Sequence, residues 1–279
     1  MTQSIEFRRV VLGLHRGSAD PASLQFAAEF AELLRLDLFG LFVREDSLLK
    51  LAELPFVREF RPLGGGWHPL SVEQLGRDLD LAVSAAQQLF RAATATMRVA
   101  SSFEIVMGSM ARVLATVPQA GDILVITQPN TPADRLAEPF ASLLDSALKS
   151  AASVMLVPAR IARSRGPVVA IAQGPADPSI EIAAAIAAAA KEKLVVVGRS
   201  AQDEATPAPA LPEQPDVTSG IAVEHLVAPD IPVMSGPDLA SLLGRLNERL
   251  VVMSRDATTK FPPALIAADR RVPVLIGGP

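Results

Sequence analysis

The chain has no cysteine and no tyrosine, and only one tryptophan and three histidines among its 279 residues. The first absence excludes disulfides, thiolate nucleophiles, iron–sulfur clusters, thiolate zinc sites and thiol redox sensing, and it agrees with a cytoplasmic location. His15, His68 and His225 fall on separate expected elements without ligand spacing, so no metal site is expected. Aromatic residues make up 4% of the chain, and 26 Lys and Arg against 30 Asp and Glu leave a net charge of −4. Such a chain has neither the stacking platforms nor the basic footprint that nucleic-acid binding uses. Long hydrophobic runs are also missing. Ile182 to Ala190, nine residues and mostly alanine, is the longest, whereas a membrane span needs about 18. The polar segment Met1 to Arg9 leads into only five apolar positions, Val10 to Leu14, so no export signal and no membrane partner are expected. No Ser-His-Asp order, carboxylate pair or activated lysine stands out, and no catalytic residue is expected.

What the chain does have is hydrophobic alternation on two scales. Short aliphatic runs at Val10 to Leu14, Leu38 to Val43, Phe103 to Val106, Ile123 to Ile126 and Val154 to Val157 predict five strands in the first half. Helical spacing separates them, the pattern of a parallel sheet. Asp20 before Pro21 predicts a capped helix with Leu24, Ala27, Ala31 and Leu34 on one face. Ser71 with Gln74 predicts a capping box opening a long helix through Leu75, Leu79, Ala82, Ala86, Leu89, Ala93 and Met97. Between the second strand and that helix, Leu54 to Leu70 carries Pro55, Pro62, the triplet Gly64-Gly65-Gly66 and Trp67, and reads as a loop with a flexible joint.

Around Arg160 to Gly166 the composition turns basic and irregular, and Val168 to Ala172 then restarts a strand as Val10 to Leu14 did. Ala176-Asp177-Pro178 repeats the context of Ala19-Asp20-Pro21, so we read an internal repeat with one domain over 1–160 and a shorter one over 166–279. The second copy continues with expected strands at Leu194 to Val197, Ile221 to Val227, Leu250 to Met253 and Val274 to Ile276, and a helix at Pro237 to Asn247. The proline-bearing segment Ala201 to Gly220 replaces the long helix. The expected class is α/β, with two tandem flavodoxin-like domains, each a five-stranded mainly parallel sheet flanked by helices.

Several segments in this order resemble universal stress proteins: Arg8-Arg9-Val10-Val11-Leu12-Gly13-Leu14, Ser102 to Gly108, Gly121 to Ile126, Ala152 to Val157, Glu248 to Arg255 and Val272 to Ile276. The resemblance implies a non-catalytic stress-response or signalling role, through a protein partner or a small ligand. It also implies a paired arrangement of the two copies as an intramolecular pseudo-dimer, with Val154 to Val157 facing Val274 to Ile276, and a possible homodimer. ATP-binding members of that family carry G-x2-G-x9-G-[S/T] after the fourth strand, because bare amides must approach the phosphates. The matching positions here are Thr127, Asn130, Phe140 and Ala141, and none is glycine. The Phe140 ring is expected to stand in the phosphate path. The aspartate that the family places after strand one falls at His15, and in the second copy at Gln173. There the loop starts with Ser254 and Ala257 and is too short to restore the motif.

Leu14, His15, Arg16, Gly17, Ser18, Thr127, Asn130, Phe140 and Ala141 are therefore the candidate residues of a vestigial nucleotide cleft, expected to hold no cofactor. The alternative is an ATP-binding regulatory module, with Asn130 replacing glycine in a left-handed conformation and Thr127 holding an anion. A small ATP-hydrolysing enzyme of the same fold is a weaker alternative. Asp20 and Asp177 read as helix caps, and Gly108-Ser109 as a tight turn.

Overall fold

The computed structural model describes residues 7–15, 20–61, 65–150, 152–198, 222–227 and 236–277. In chain order the first half runs β1 (Arg9–Leu14), α1 (Pro21–Leu34), β2 (Asp37–Arg44), α2 (Asp46–Ala52), β3 (Arg58–Arg61), β4 (Gly66–Pro69), α3 (Val72–Thr94), β5 (Ser101–Met107), α4 (Met110–Thr116), β6 (Asp122–Thr127), α5 (Pro132–Leu136), α6 (Glu138–Leu148) and β7 (Ser153–Val157). The second runs β8 (Val168–Ile171), α7 (Pro178–Ala190), β9 (Leu194–Gly198), β10 (Val223–Val227), α8 (Gly236–Leu243), β11 (Leu250–Met253), α9 (Arg255–Thr258), α10 (Pro263–Arg270) and β12 (Val274–Ile276).

Ten strands form one sheet in the order β10-β9-β8-β11-β12-β7-β6-β1-β2-β5. Every neighbouring pair is parallel except β12 with β7. The central strands are aliphatic on both faces because helices cover both. Alternate residues divide accordingly: Val10, Leu12, Ile123, Val125, Val168 and Val252 lie in one core cluster, and Val11, Leu124, Ile126, Val169 and Val251 in the other. Helices α1, α3 and α7 supply the first cluster, and α4, α6, α8 and α10 the second. The chain is thus an α/β protein with a flavodoxin-like, mainly parallel sheet flanked by helices. None of the described helices is long and apolar enough to cross a membrane.

The caps form as the residue order predicts. Asp20 accepts from Ser23 N at 3.1 Å, Ser71 from Gln74 N at 3.3 Å and Asp177 from Ser179 N at 2.9 Å. The Leu54 to Leu70 insertion differs from the expected loop. It carries the antiparallel pair β3 and β4, with Phe60 opposite Trp67 and their rings 5.3 Å apart. A facing aromatic pair stabilises a short hairpin, and Gly65 and Gly66 take positive φ of 86° and 118° beside it. Gly64 lies outside the described residues, as do Ala201 to Gly220. The helix expected over Pro237 to Asn247 ends at Leu243, and Asn247 turns the chain with φ of 52°. Where the second half begins, Gly166 has φ of 127°, and a Cβ there would lie 2.4 Å from the Asn247 carbonyl oxygen.

The two halves of the sheet meet at β7 and β12, where Leu156 pairs with Val274, Met155 with Leu275 and Val154 with Ile276. This is the strand pairing the family resemblance implies, and it covers two edges that would otherwise present unpaired backbone. The register is symmetric about the Met155–Leu275 pair, so Val154 corresponds to Val274. Leu124 pairs with Val154 and Val251 with Val274, so Leu124 corresponds to Val251. Four residues further on, Gln128 corresponds to Arg255. Both reach across the junction. Arg255 donates to the carbonyls of Leu148, Ser150 and Ala152 in the first half, and to that of Gly277 at 3.2 Å. Burial pushes its guanidinium below the ordinary value. Gln128 Nε2 donates to the Ala264 carbonyl of α10 at 2.9 Å.

Candidate functional site

In an open α/β sheet ligands bind beyond the carboxyl ends of the strands, where the strand order reverses. In the first half that point lies between β1 and β6, which are neighbours in the sheet. Leu14 and His15 end β1 on one side, and Thr127 ends β6 on the other. Arg16, Gly17 and Ser18 lie outside the described residues. Leu14 is buried in the first core cluster and faces inward. Thr127 is half-buried and pairs with Val157 in the ladder.

After β6 the chain forms a capped helical turn. The Thr131 hydroxyl accepts from Asp134 N at 3.1 Å and lies 2.6 Å from Asp134 Oδ2. Arg135 N donates to the Thr131 carbonyl at 3.2 Å. Arg135 Nη1 folds back to the carbonyls of Pro129 at 3.2 Å and Asn130 at 3.1 Å. A glycine phosphate loop presents open amides; here the Arg135 guanidinium takes the loop's carbonyls, and the Asp134 and Arg135 amides are bonded to Thr131. Asn130 is exposed and is not among the residues with positive φ, so it does not adopt the left-handed backbone considered for it. The reason is local: the turn is built by Thr131, Pro132 and Arg135, and needs no left-handed residue before them.

Phe140 and Ala141 open α6, where both of their amides donate to the Ala137 carbonyl at 3.2 Å. The Phe140 ring is 6% exposed and sits in the second core cluster, on the opposite side of the sheet from Leu14. It therefore does not stand in an open phosphate path. Helical periodicity explains its place: Phe140 and Ala147, seven residues apart, are the buried pair of α6. Ala141 is exposed.

The corresponding point in the second half lies between β8 and β11 and is tied shut by Asp177. Its Oδ2 accepts from Gln173 N at 2.9 Å and from the Ser254 hydroxyl at 3.1 Å, while Oδ1 caps α7. The cap reading of Asp177 stands, with a second role that residue order does not reveal. Ala257 is buried. Gly108 has φ of 147°, and a Cβ there would meet Val113 at 3.3 Å, which agrees with a tight turn before α4. Among the described residues no group of three His, Cys, Asp or Glu side chains could hold a metal ion.

No family model matches the chain, and no curated protein matches it in sequence. Solved structures do match in shape. A universal stress protein from Archaeoglobus fulgidus superposes with a TM-score of 0.60 at 13% identity, covering 98% of each chain. A functionally unknown protein from Pseudomonas aeruginosa superposes with a TM-score of 0.50 at 13% identity, covering 98% of this chain and 93% of its own. The strand order and these superpositions agree: this chain has the fold of the universal stress proteins over nearly its whole length.

Proposed function

We propose that the chain is a non-catalytic regulatory protein of the stress-response type, which does not hold ATP through a phosphate loop in either half. The observation that supports this most is the bonded turn after β6. The amides of Asp134, Arg135, Phe140 and Ala141, which span the region where phosphates would be cradled, already donate to Thr131 and Ala137. In the second half the Asp177 bridge occupies the equivalent place. On this reading residues 1–160 and 166–279 are two domains paired as an intramolecular pseudo-dimer. The second braces the first, and the activity lies in contacts with a protein partner or a small ligand.

A thermal-shift titration of the full chain with ATP and Mg²⁺ tests it. A ligand present at 100 times its Kd stabilises the native state by about 2.7 kcal/mol. The melting temperature is expected to stay unchanged at millimolar ATP. A saturable rise that persists in the Arg160→Gln, Arg271→Gln double variant would overturn the reading.

A further inference from the structure

At the junction of the two halves, a pocket of about 400 Å³ opens beyond the carboxyl ends of β6 and β7 and against the end of α10. Its walls include Asn130, Arg135, Arg160 and Arg271, with Gln128 and Ala268 beside them, and none of its lining residues is acidic. Arg160 and Arg271 are exposed and have no acidic partner among the described residues. Arg135 uses one nitrogen to hold the Pro129 and Asn130 carbonyls, which fixes the guanidinium while leaving its other donors open. Gln128 is only 2% exposed. Its Nε2 bonds to Ala264, and its Oε1 is buried without a hydrogen-bond partner. Buried acceptors are nearly always paired.

The other side of the junction shows why this pocket exists. There the counterpart of Gln128 is Arg255, whose longer side chain meets the end of α6 at Leu148 and continues to Ser150 and Ala152. One side is filled by a guanidinium bonded to carbonyls. The other, with a shorter side chain, is open and ringed by three guanidiniums.

We propose that this pocket binds a small phosphate monoester bearing a hydroxyl group. The phosphate takes fork-shaped donors from Arg135, Arg160 and Arg271, the geometry that suits guanidinium best. The Gln128 amide, buried beneath the pocket wall, turns its unpaired oxygen into the pocket to accept from the hydroxyl. The volume lies at the small end of the usual range for ligand sites and suits a sugar-phosphate-sized molecule. This site is formed by both halves of the chain and shares Asn130 and Arg135 with the bonded turn after β6.

Calorimetric titration of the full chain at low salt with glycerol 3-phosphate and with inorganic phosphate is the test. One site is expected, with a Kd of about 1 mM or tighter for glycerol 3-phosphate and weaker binding of inorganic phosphate. The double variant Arg160→Gln with Arg271→Gln, both exposed positions, is expected to weaken binding at least tenfold with an unchanged melting temperature. Gln128→Arg, which places on this side the residue that fills the other, is expected to abolish binding. Gln128→Leu is expected to remove the preference for the hydroxyl-bearing ester. Absence of heat with both ligands, or undiminished binding in the double arginine variant, would overturn the proposal. Equal affinity for the two ligands in the unaltered chain would overturn the role of Gln128.

Discussion

The two sides of the junction occupy equivalent positions around the β7–β12 pair, and they do different things. On one, Arg255 crosses from the second half and bonds to carbonyls at the end of α6 and the start of β7. On the other, Gln128 makes a single bond to α10 and leaves a cationic pocket. A guanidinium has five donors and no acceptor, so one side chain satisfies several orphan carbonyls at a helix end. An amide has fewer donors, and its oxygen needs one of its own. The same strand geometry therefore carries a structural tie on one side and an open cationic pocket on the other.

Five substitutions would break or refine that difference. The largest effect is expected at Phe140, which its position in the motif spacing places in the cleft and the structure places in the core. Phe140→Ala should cost about 3 to 5 kcal/mol, read as a lower urea midpoint with an unchanged slope. A loss below about 1 kcal/mol would mean that the ring lies in the cleft after all. Arg255→Ala should follow, at roughly 2 to 4 kcal/mol, since it removes charge-assisted bonds to partly buried carbonyls. The same denaturation measurement checks it. Asp177→Ala removes a cap and two ties to neighbouring loops, whereas Asp20→Ala removes a cap with one local hydroxyl bond. Each should cost about 1 to 2 kcal/mol, with the Asp177 change the larger when the two melts are compared. Gln128→Leu should be the smallest, within about 1 kcal/mol, because the lost bond to Ala264 is offset by removal of an unpaired buried acceptor.

Much of the fold was legible in the residues. Runs such as Val168 to Ile171 and Leu250 to Met253 are short, aliphatic and bounded by turn or cap residues, and they appear as strands at or within a few residues of the expected bounds. The caps at Asp20, Ser71 and Asp177 were equally plain, because one side chain and one nearby amide decide them. The insertion was misread because its glycines and prolines hide two four-residue strands whose pairing rests on Phe60 and Trp67. The Phe140 ring was placed by motif position, while the seven-residue spacing to Ala147 already pointed it inward. Gln128, Arg135, Arg160 and Arg271 gave no signal as a group, since only the antiparallel pairing of β7 with β12 brings α10 against the end of β6. The basic run after Arg160 marked a boundary between the halves and concealed that one of its residues lines a pocket there.

The turn after β6 carries its own hydrogen bonds, and on the proposed reading it does not receive a nucleotide. The most direct measurement is the backbone amide spectrum of the full chain by NMR as ATP and Mg²⁺ are added to millimolar concentration, with attention to Thr131, Asp134, Arg135, Phe140 and Ala141. The account predicts that these resonances do not move. A saturable displacement centred on Phe140 and Ala141 would contradict it.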